Sequence, residues 1–228
     1  MLIIKNKGLR QALKILIPFV LIPLTAVGGS VIFGGKKHIY VSLTAAVLSL
    51  LLFMTGFEKK QTGTRRQVIV AIMIALSVAG RFIPFFKPVT AITVITAIYL
   101  GSEAGFLVGA FSALISDFYF GQGPWTAYQM LAWGLIGLFA GFLAKPLEKS
   151  RTALLIYGIV SGIIFSLVMD VWSVLWYSGG FDIKLYTAAA VTAIPHTVLY
   201  AVSNFIFLFF LSRPFGEKLS RIKIKYGI

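Results

Sequence analysis

Eight apolar runs, at about 11–33, 39–57, 67–83, 89–100, 103–117, 126–144, 152–176 and 185–211, fill most of this 228-residue chain. Most approach the ~20 residues that carry a helix across a bilayer. Hydrocarbon offers no water to backbone N–H and C=O groups, so such runs must satisfy their own hydrogen bonds. The chain is 58% hydrophobic and 12% charged, with a mean hydropathy of +0.91. Soluble domains average about 45–50% apolar and roughly 25% charged. The fold class is therefore an all-α integral membrane protein.

The gaps between runs set direction. One alternate set holds Lys5, Lys7, Arg10 and Lys14; Lys59, Lys60, Arg65 and Arg66; Lys145, Lys149 and Arg151; and Arg213, Lys218, Arg221, Lys223 and Lys225. The other set holds only Lys36, Lys37, Arg81, Lys87 and Lys184. The positive-inside rule then places both termini in the cytoplasm of a plasma-membrane protein. These charges orient helices and touch anionic lipid. The net charge of +14 thus asks for no nucleic-acid partner.

Region 89–117 is too short for two full spans and too long for one. Two short helices turning at Gly101-Ser102-Glu103 keep the charge parity, with Ser102 capping the second; a re-entrant hairpin keeps it too. The N-terminal run follows a basic start, as a signal peptide does, but it carries Pro18 and Pro23 and only a weak cleavage-like stretch, Ala26-Val27-Gly28. The chain thus divides into a transmembrane hairpin (1–57), a cytoplasmic linker (58–66) and a six-helix membrane module (67–228).

Several helix faces carry polar groups at steps of three and four. On 152–176 these are Gly162, Ser166, Asp170, Ser173 and Tyr177; on 185–211, Thr192, His196, Tyr200 and Asn204; on 126–144, Thr126, Gln129, Trp133, Gly137 and Gly141; and on 103–117, Gly105, Gly109, Ser112 and Ser116. Small and hydroxylated residues pack helices closely. A carboxylate facing lipid at mid-membrane costs about 3 kcal/mol, so Asp170 must point inward or into a wet cavity. His196 follows Pro195, which frees a carbonyl and bends a helix. Both are candidate ligand contacts.

Aromatic rings collect in the outward gaps: Phe82, Phe85 and Phe86 between Pro84 and Pro88; Phe118, Tyr119, Phe120, Trp125 and Tyr128; then Trp172, Trp176, Tyr177, Phe181 and Tyr186. An interfacial belt decorates both membrane faces. Enrichment on one side suits a binding surface that opens outward, and the stretch FYFGQGPWTAYQM (118–130) adds Gln122 and Gln129 to its rings.

Catalytic signatures are missing. Gly34-Gly35-Lys36-Lys37 lacks the frame of a phosphate loop, and H-E-x-x-H and G-x-S-x-G are absent. There is no cysteine, and two histidines and seven carboxylates leave little for a metal cluster. Asp117, near the aromatic stretch, has no obvious partner. The chain reads as a non-enzyme without its own ATPase.

The basic linker, the A-x-x-x-A helix (Ala71, Ala75, with Ala79 continuing the stripe), the six segments that follow and the basic C-terminus resemble the S components of energy-coupling factor (ECF) vitamin transporters. FGQGPWTAYQMLAWGLIGLFAG (120–141) looks like the subgroup linked to cobalamin uptake. The resemblance covers about 67–225 and implies a vitamin-binding membrane subunit with no cofactor of its own. Loops 82–88, 118–128 and 177–184 would line its site. The alanine stripe would meet a transmembrane coupling subunit, and two cytoplasmic ATPases would use ATP. The S component would topple to carry its site inward. The first two helices depart from the six-helix pattern; they pack on the rim or meet another subunit.

On this reading Phe85, Phe86, Phe120, Trp125 and Tyr128 enclose cobalamin or cobinamide, while Gln122, Gln129, Asp170 and His196 supply polar contacts. The alternatives are an S component for a smaller vitamin or precursor (riboflavin, thiamine, a queuosine-like base) and a membrane assembly subunit without transport.

Overall fold

The structure is a computed structural model describing residues 6–33, 37–55 and 60–226, with Ser30 and residues 60–63 described by their backbone alone. Expectations resting on Lys5, residues 34–36, Lys59 and the start of the linker lie outside the described residues, as does the side chain of Lys60.

Among the described residues every regular element is helical. Helix α1 (Lys7–Leu16) passes through a π-turn at Ile17–Leu21 into α2 (Ile22–Phe33). Pro18 opens that turn; lacking an N–H, it cannot hold the regular hydrogen-bond ladder, and the chain widens by one residue there. Helix α3 (His38–Thr55) returns alongside. The module continues as α4 (Lys60–Gly80), α5 (Val89–Leu100), α6 (Ser102–Phe120), α7 (Trp125–Phe142), α8 (Ala144–Lys149), α9 (Arg151–Ser178), α10 (Ile183–Thr192) and α11 (Ile194–Tyr226). Among the described residues five helical stretches are long and apolar enough to cross a membrane: Lys7–Phe33, His38–Thr55, Ser102–Phe120, Arg151–Ser178 and Ile194–Tyr226.

Helix α5 is the axis. Its 12 residues span about 18 Å, and all but Tyr99 are buried. This explains why its sequence is apolar all round. Region 89–117 thus forms two helices as expected, but only the first is short. The expected cap is corrected: Ser102 is the first helical residue and makes no cap bond, while Gly101, at φ +99°, turns the chain.

The small-residue stripes meet one another. A Cβ on Gly109 would lie 2.4 Å from the Trp133 carbonyl oxygen, and one on Gly137 2.4 Å from the Gly105 backbone. Helices α6 and α7 therefore touch backbone to backbone. Gly109→Ala is expected to cost about 1–3 kcal/mol by overpacking, read as a lowered melting temperature in detergent. Helices α9 and α11 use the same device at Gly162, where a Cβ would meet Ala201 N at 2.7 Å. Asn204 Nδ2 donates to the Gly158 carbonyl at 3.0 Å, and Thr197 Oγ1 donates to Ser166 Oγ at 2.6 Å.

The run expected as one helix over 185–211 is divided at Ala193, which caps α10; Pro195 enters the first turn of α11, where its missing N–H leaves no bond unmade. Helix α11 then continues through Pro214, so the basic C-terminal stretch is helical to Tyr226.

The N-terminal hairpin lies against α6 and α7. Lys14 Nζ reaches Glu103 Oε1 at 2.5 Å, and Arg66 Nη2 lies 3.8 Å from Glu103 Oε2 while donating to the Leu100 carbonyl at 2.5 Å. This basic end is opposite the aromatic end, where α4, α6 and α9 finish.

Candidate functional site

Arg81, just past α4, organises the aromatic end. Its Nη1 lies 2.8 Å from Asp117 Oδ1 and 2.5 Å from Ser116 Oγ, both on α6, and 3.4 Å from Gln129 Oε1 on α7. Thr126 Oγ1 donates to the other Asp117 oxygen at 2.8 Å. The guanidinium stands 5.2 Å from the ring centroids of both Phe120 and Trp133. Arg81 is 7% exposed and Asp117 1%. A buried ion pair offsets its desolvation only when further hydrogen bonds complete it, and here two hydroxyls and an amide do so.

This overturns two expectations. Asp117 does have a partner, and Arg81 does more than orient a helix. Both ends of the pair stood in outward gaps of opposite charge, the one sequence signal that joined them. The network also explains much of the 118–130 stretch. Gly123 N–H donates to Thr126 Oγ1 at 3.4 Å, and Gln122 Nε2 donates to the Leu114 carbonyl at 2.9 Å.

The 82–88 loop packs over this network. Lys87 N–H donates to Ser203 Oγ at 2.9 Å, and Ser203 Oγ donates back to the Lys87 carbonyl at 3.1 Å. The Lys87 ammonium lies 5.5 Å from the Phe120 centroid. Its burial, then the charge of Arg81, lowers its pKa from the usual lysine value, with Asp117 opposing. Phe86 N–H donates to the Pro84 carbonyl at 2.7 Å, closing a γ-turn centred on Phe85 at φ +62°. That conformation is strained for a bulky side chain. Phe85 is 76% exposed and Phe86 half-buried.

Two hollows lie nearby. The first is a polar cleft of about 40 Å³ among Arg81, Lys87, Gln129, Trp133, Tyr200 and Asn204. Trp133 stacks on Phe165 at 4.5 Å, and Tyr200 meets Phe165 edge-on at 5.1 Å. Its volume admits a water-sized group. The second is a crevice of about 360 Å³ between α9, α10 and α11, lined by Asp170, Ser173, Tyr177, Thr192 and His196. Asp170 and His196, distant in sequence, both line it, and the break at Ala193 stands in its wall. Among the described residues Asp170 Oδ2 is buried without a hydrogen-bond partner, as are Trp172 Nε1, Gln122 Oε1 and Arg81 Nε. Buried polar atoms left unpaired mark places where a ligand or water completes the bonding.

The sequence-derived residues thus separate. Gln129 lines the cleft; Phe120 covers Arg81 and Lys87; Asp170 and His196 line the crevice. Trp125 packs edge-on against Trp172 at 5.7 Å. Tyr128, 1% exposed, is inside the core and lines neither hollow; nor do Phe85, Phe86 and Gln122. Arg81, Lys87 and Phe165 were not singled out as ligand contacts, because a loop cation and a single ring in an apolar run give no local signal.

A family model described as ECF-type riboflavin transporter, S component, matches residues 61–221, well over half of the chain. The chain belongs to this family. No curated protein and no solved structure gives a match. S components are the substrate-binding subunits of transporters rather than enzymes, and they work with a membrane coupling subunit and ATPase subunits. The match excludes the N-terminal hairpin, which this S component carries in addition.

Ala71, Ala75 and Ala79 are exposed on the flank of α4. They line an apolar groove of about 860 Å³, with Leu50 and Phe53 of α3 on one side and Leu107 and Phe111 of α6 on the other. The hairpin therefore supplies a wall of the groove and leaves the alanine stripe open.

Proposed function

We propose that this S component captures riboflavin, or a vitamin with a similar flat heteroaromatic ring, at its aromatic end and delivers it through an ATP-driven coupling complex. The observation that carries the reading is the crevice of about 360 Å³ on which Asp170 and His196 converge, beside a cleft walled by Trp133, Phe165 and Tyr200. Small-ligand sites are largely apolar hollows of about 300–1,000 Å³ with a few fixed polar groups. A flavin ring fits that scale; a corrinoid with its nucleotide tail is far larger than the crevice. The family description points the same way. Gln129, Asp170 and His196 supply polar contacts, Phe120 covers Arg81 and Lys87 while Trp125 braces Trp172, and Phe86 and Gln122 shape the neighbouring loops. The positive-inside bias faces the aromatic end outward, with both termini in the cytoplasm. The alanine groove receives the coupling subunit, because small residues let a second helix approach closely.

Cobalamin remains the second reading, on the strength of the GPWT-x-x-QM stretch at 123–130. Equilibrium binding by the purified protein, with riboflavin, thiamine, cobinamide and cobalamin compared, tests both. Saturable riboflavin binding is expected, weakened about tenfold or more by Asp170→Leu or Gln129→Leu through loss of a buried hydrogen bond. Tight cobalamin binding without riboflavin binding would reverse the assignment.

A further inference from the structure

At the basic end, remote from cleft and crevice, α5, α8, α9 and α11 enclose a pocket of about 530 Å³. Its floor is hydrocarbon, from Ile95, Ile98, Leu147 and Leu154. Its rim is ionic: Lys149, Arg151, Arg213 and Arg221 outnumber Glu148 and Glu217 by two charges. The four cations differ in their engagements. Arg213 Nε lies 3.1 Å from Glu217 Oε1, so this pair is largely self-neutralised. Arg151 is held in place, its guanidinium 3.9 Å from the Phe209 ring centroid and its Nη2 donating to the Phe209 carbonyl at 3.0 Å. That engagement leaves further Arg151 N–H donors for another acceptor. Lys149 and Arg221 engage no acceptor among the described residues, and the hydroxyls of Ser212 and Ser220 beside them make no hydrogen bond. Glu148 is the one rim carboxylate left to oppose an anion.

A cluster of solvated charges needs no hollow. A hollow with a hydrocarbon floor and a cationic rim matches an amphiphile whose phosphate meets the rim while its chain covers the floor. Basic pockets between membrane helices recognise lipid headgroups in this way. We infer that this pocket binds an anionic phospholipid, with its phosphodiester on Lys149, Arg151 and Arg221 and the start of an acyl chain over Ile98 and Tyr99. The residues involved are separate from those of the vitamin site, so the two proposals stand or fall independently.

The test offers phosphatidylglycerol, phosphatidylcholine or inorganic phosphate to the detergent-purified full chain, with retention read by native mass spectrometry and stability by melting temperature. Phosphatidylglycerol is expected to be retained and to raise the melting temperature, and the other two to do neither. Lys149→Gln/Arg221→Gln should weaken phosphatidylglycerol binding by about tenfold or more. Lys218→Gln/Lys223→Gln, at the same end but outside the pocket, should leave it nearly unchanged. All four side chains are exposed, so neither pair threatens the fold. Equal retention of phosphatidylcholine, equal losses from the two double variants, or equal stabilisation by inorganic phosphate would each overturn the assignment. So would intact lipid binding in the Lys149/Arg221 variant accompanied by loss of a co-purifying protein, which would give the pocket to a protein partner.

Discussion

Arg81→Met is expected to destabilise this S component by about 3–5 kcal/mol, the usual effect of leaving one member of a buried ion pair without the other. Asp117, at 1% exposure, would keep Thr126 as a donor but lose the guanidinium 2.8 Å away. Gln129 Oε1 would lose its donor as well. Arg81→Met/Asp117→Leu is expected to recover most of that stability, because removing both charges removes the desolvation penalty with them. Denaturation in detergent, run as a double-mutant cycle, measures the coupling directly. A single-variant loss below about 1 kcal/mol would mean that the pair behaves like a surface ion pair. Ligand binding separates structure from recognition. The double variant should remain weak for riboflavin even when stable, because the cleft has lost a donor beside Gln129. Full affinity in the stable double variant would remove Arg81 from the vitamin site.

What the sequence made legible was whatever has a period or a repeated local cost. Apolar runs gave the helices. Glycines at steps of four marked faces for close packing, because only small residues allow backbones to meet; that those faces join α6 to α7 and α9 to α11 came from the fold. Asp170 is buried because a carboxylate in hydrocarbon must face inward, and His196, itself exposed, meets it across an open crevice. What stayed hidden depends on distance and angle. The Arg81–Asp117 pair joins residues on helices that only the fold brings together, and in a membrane chain an arginine at a helix end is already accounted for by topology. The turn at Gly101 was legible, but the apolar run of α6 ends at 117, where a carboxylate breaks it; the helix continues to Phe120 because Asp117 is paired with Arg81. The size of the hollow depends on how α10 and α11 splay at Ala193, which no motif encodes. The aromatic stretch at 118–130 suggested a large ligand, yet Gln122, Thr126 and Gln129 all have partners inside the protein. A distinctive motif can be distinctive because it builds a turn.

Enlarging the alanine stripe should uncouple delivery from capture. Ala75 stands midway between Ala71 and Ala79 on the open flank of α4. A leucine there projects into the groove at its centre and holds an approaching helix away from the α4 backbone, while exposing only another apolar group to lipid. The variant should therefore fold normally. Overpacking typically costs about 1–3 kcal/mol, equivalent to about fivefold or more in affinity for the coupling subunit. Ala71→Leu/Ala75→Leu should take the loss beyond tenfold and stop vitamin uptake. Riboflavin binding by the isolated subunit should be unchanged, because the groove shares no residue with the cleft or the crevice. Co-purification with the coupling complex, measured beside equilibrium binding on the same preparation, reads both quantities. Undiminished recovery of the complex would move the docking surface off α4. Because α3 walls the groove with Leu50 and Phe53, the next place to look would be the hairpin, which this chain carries outside the matched family region.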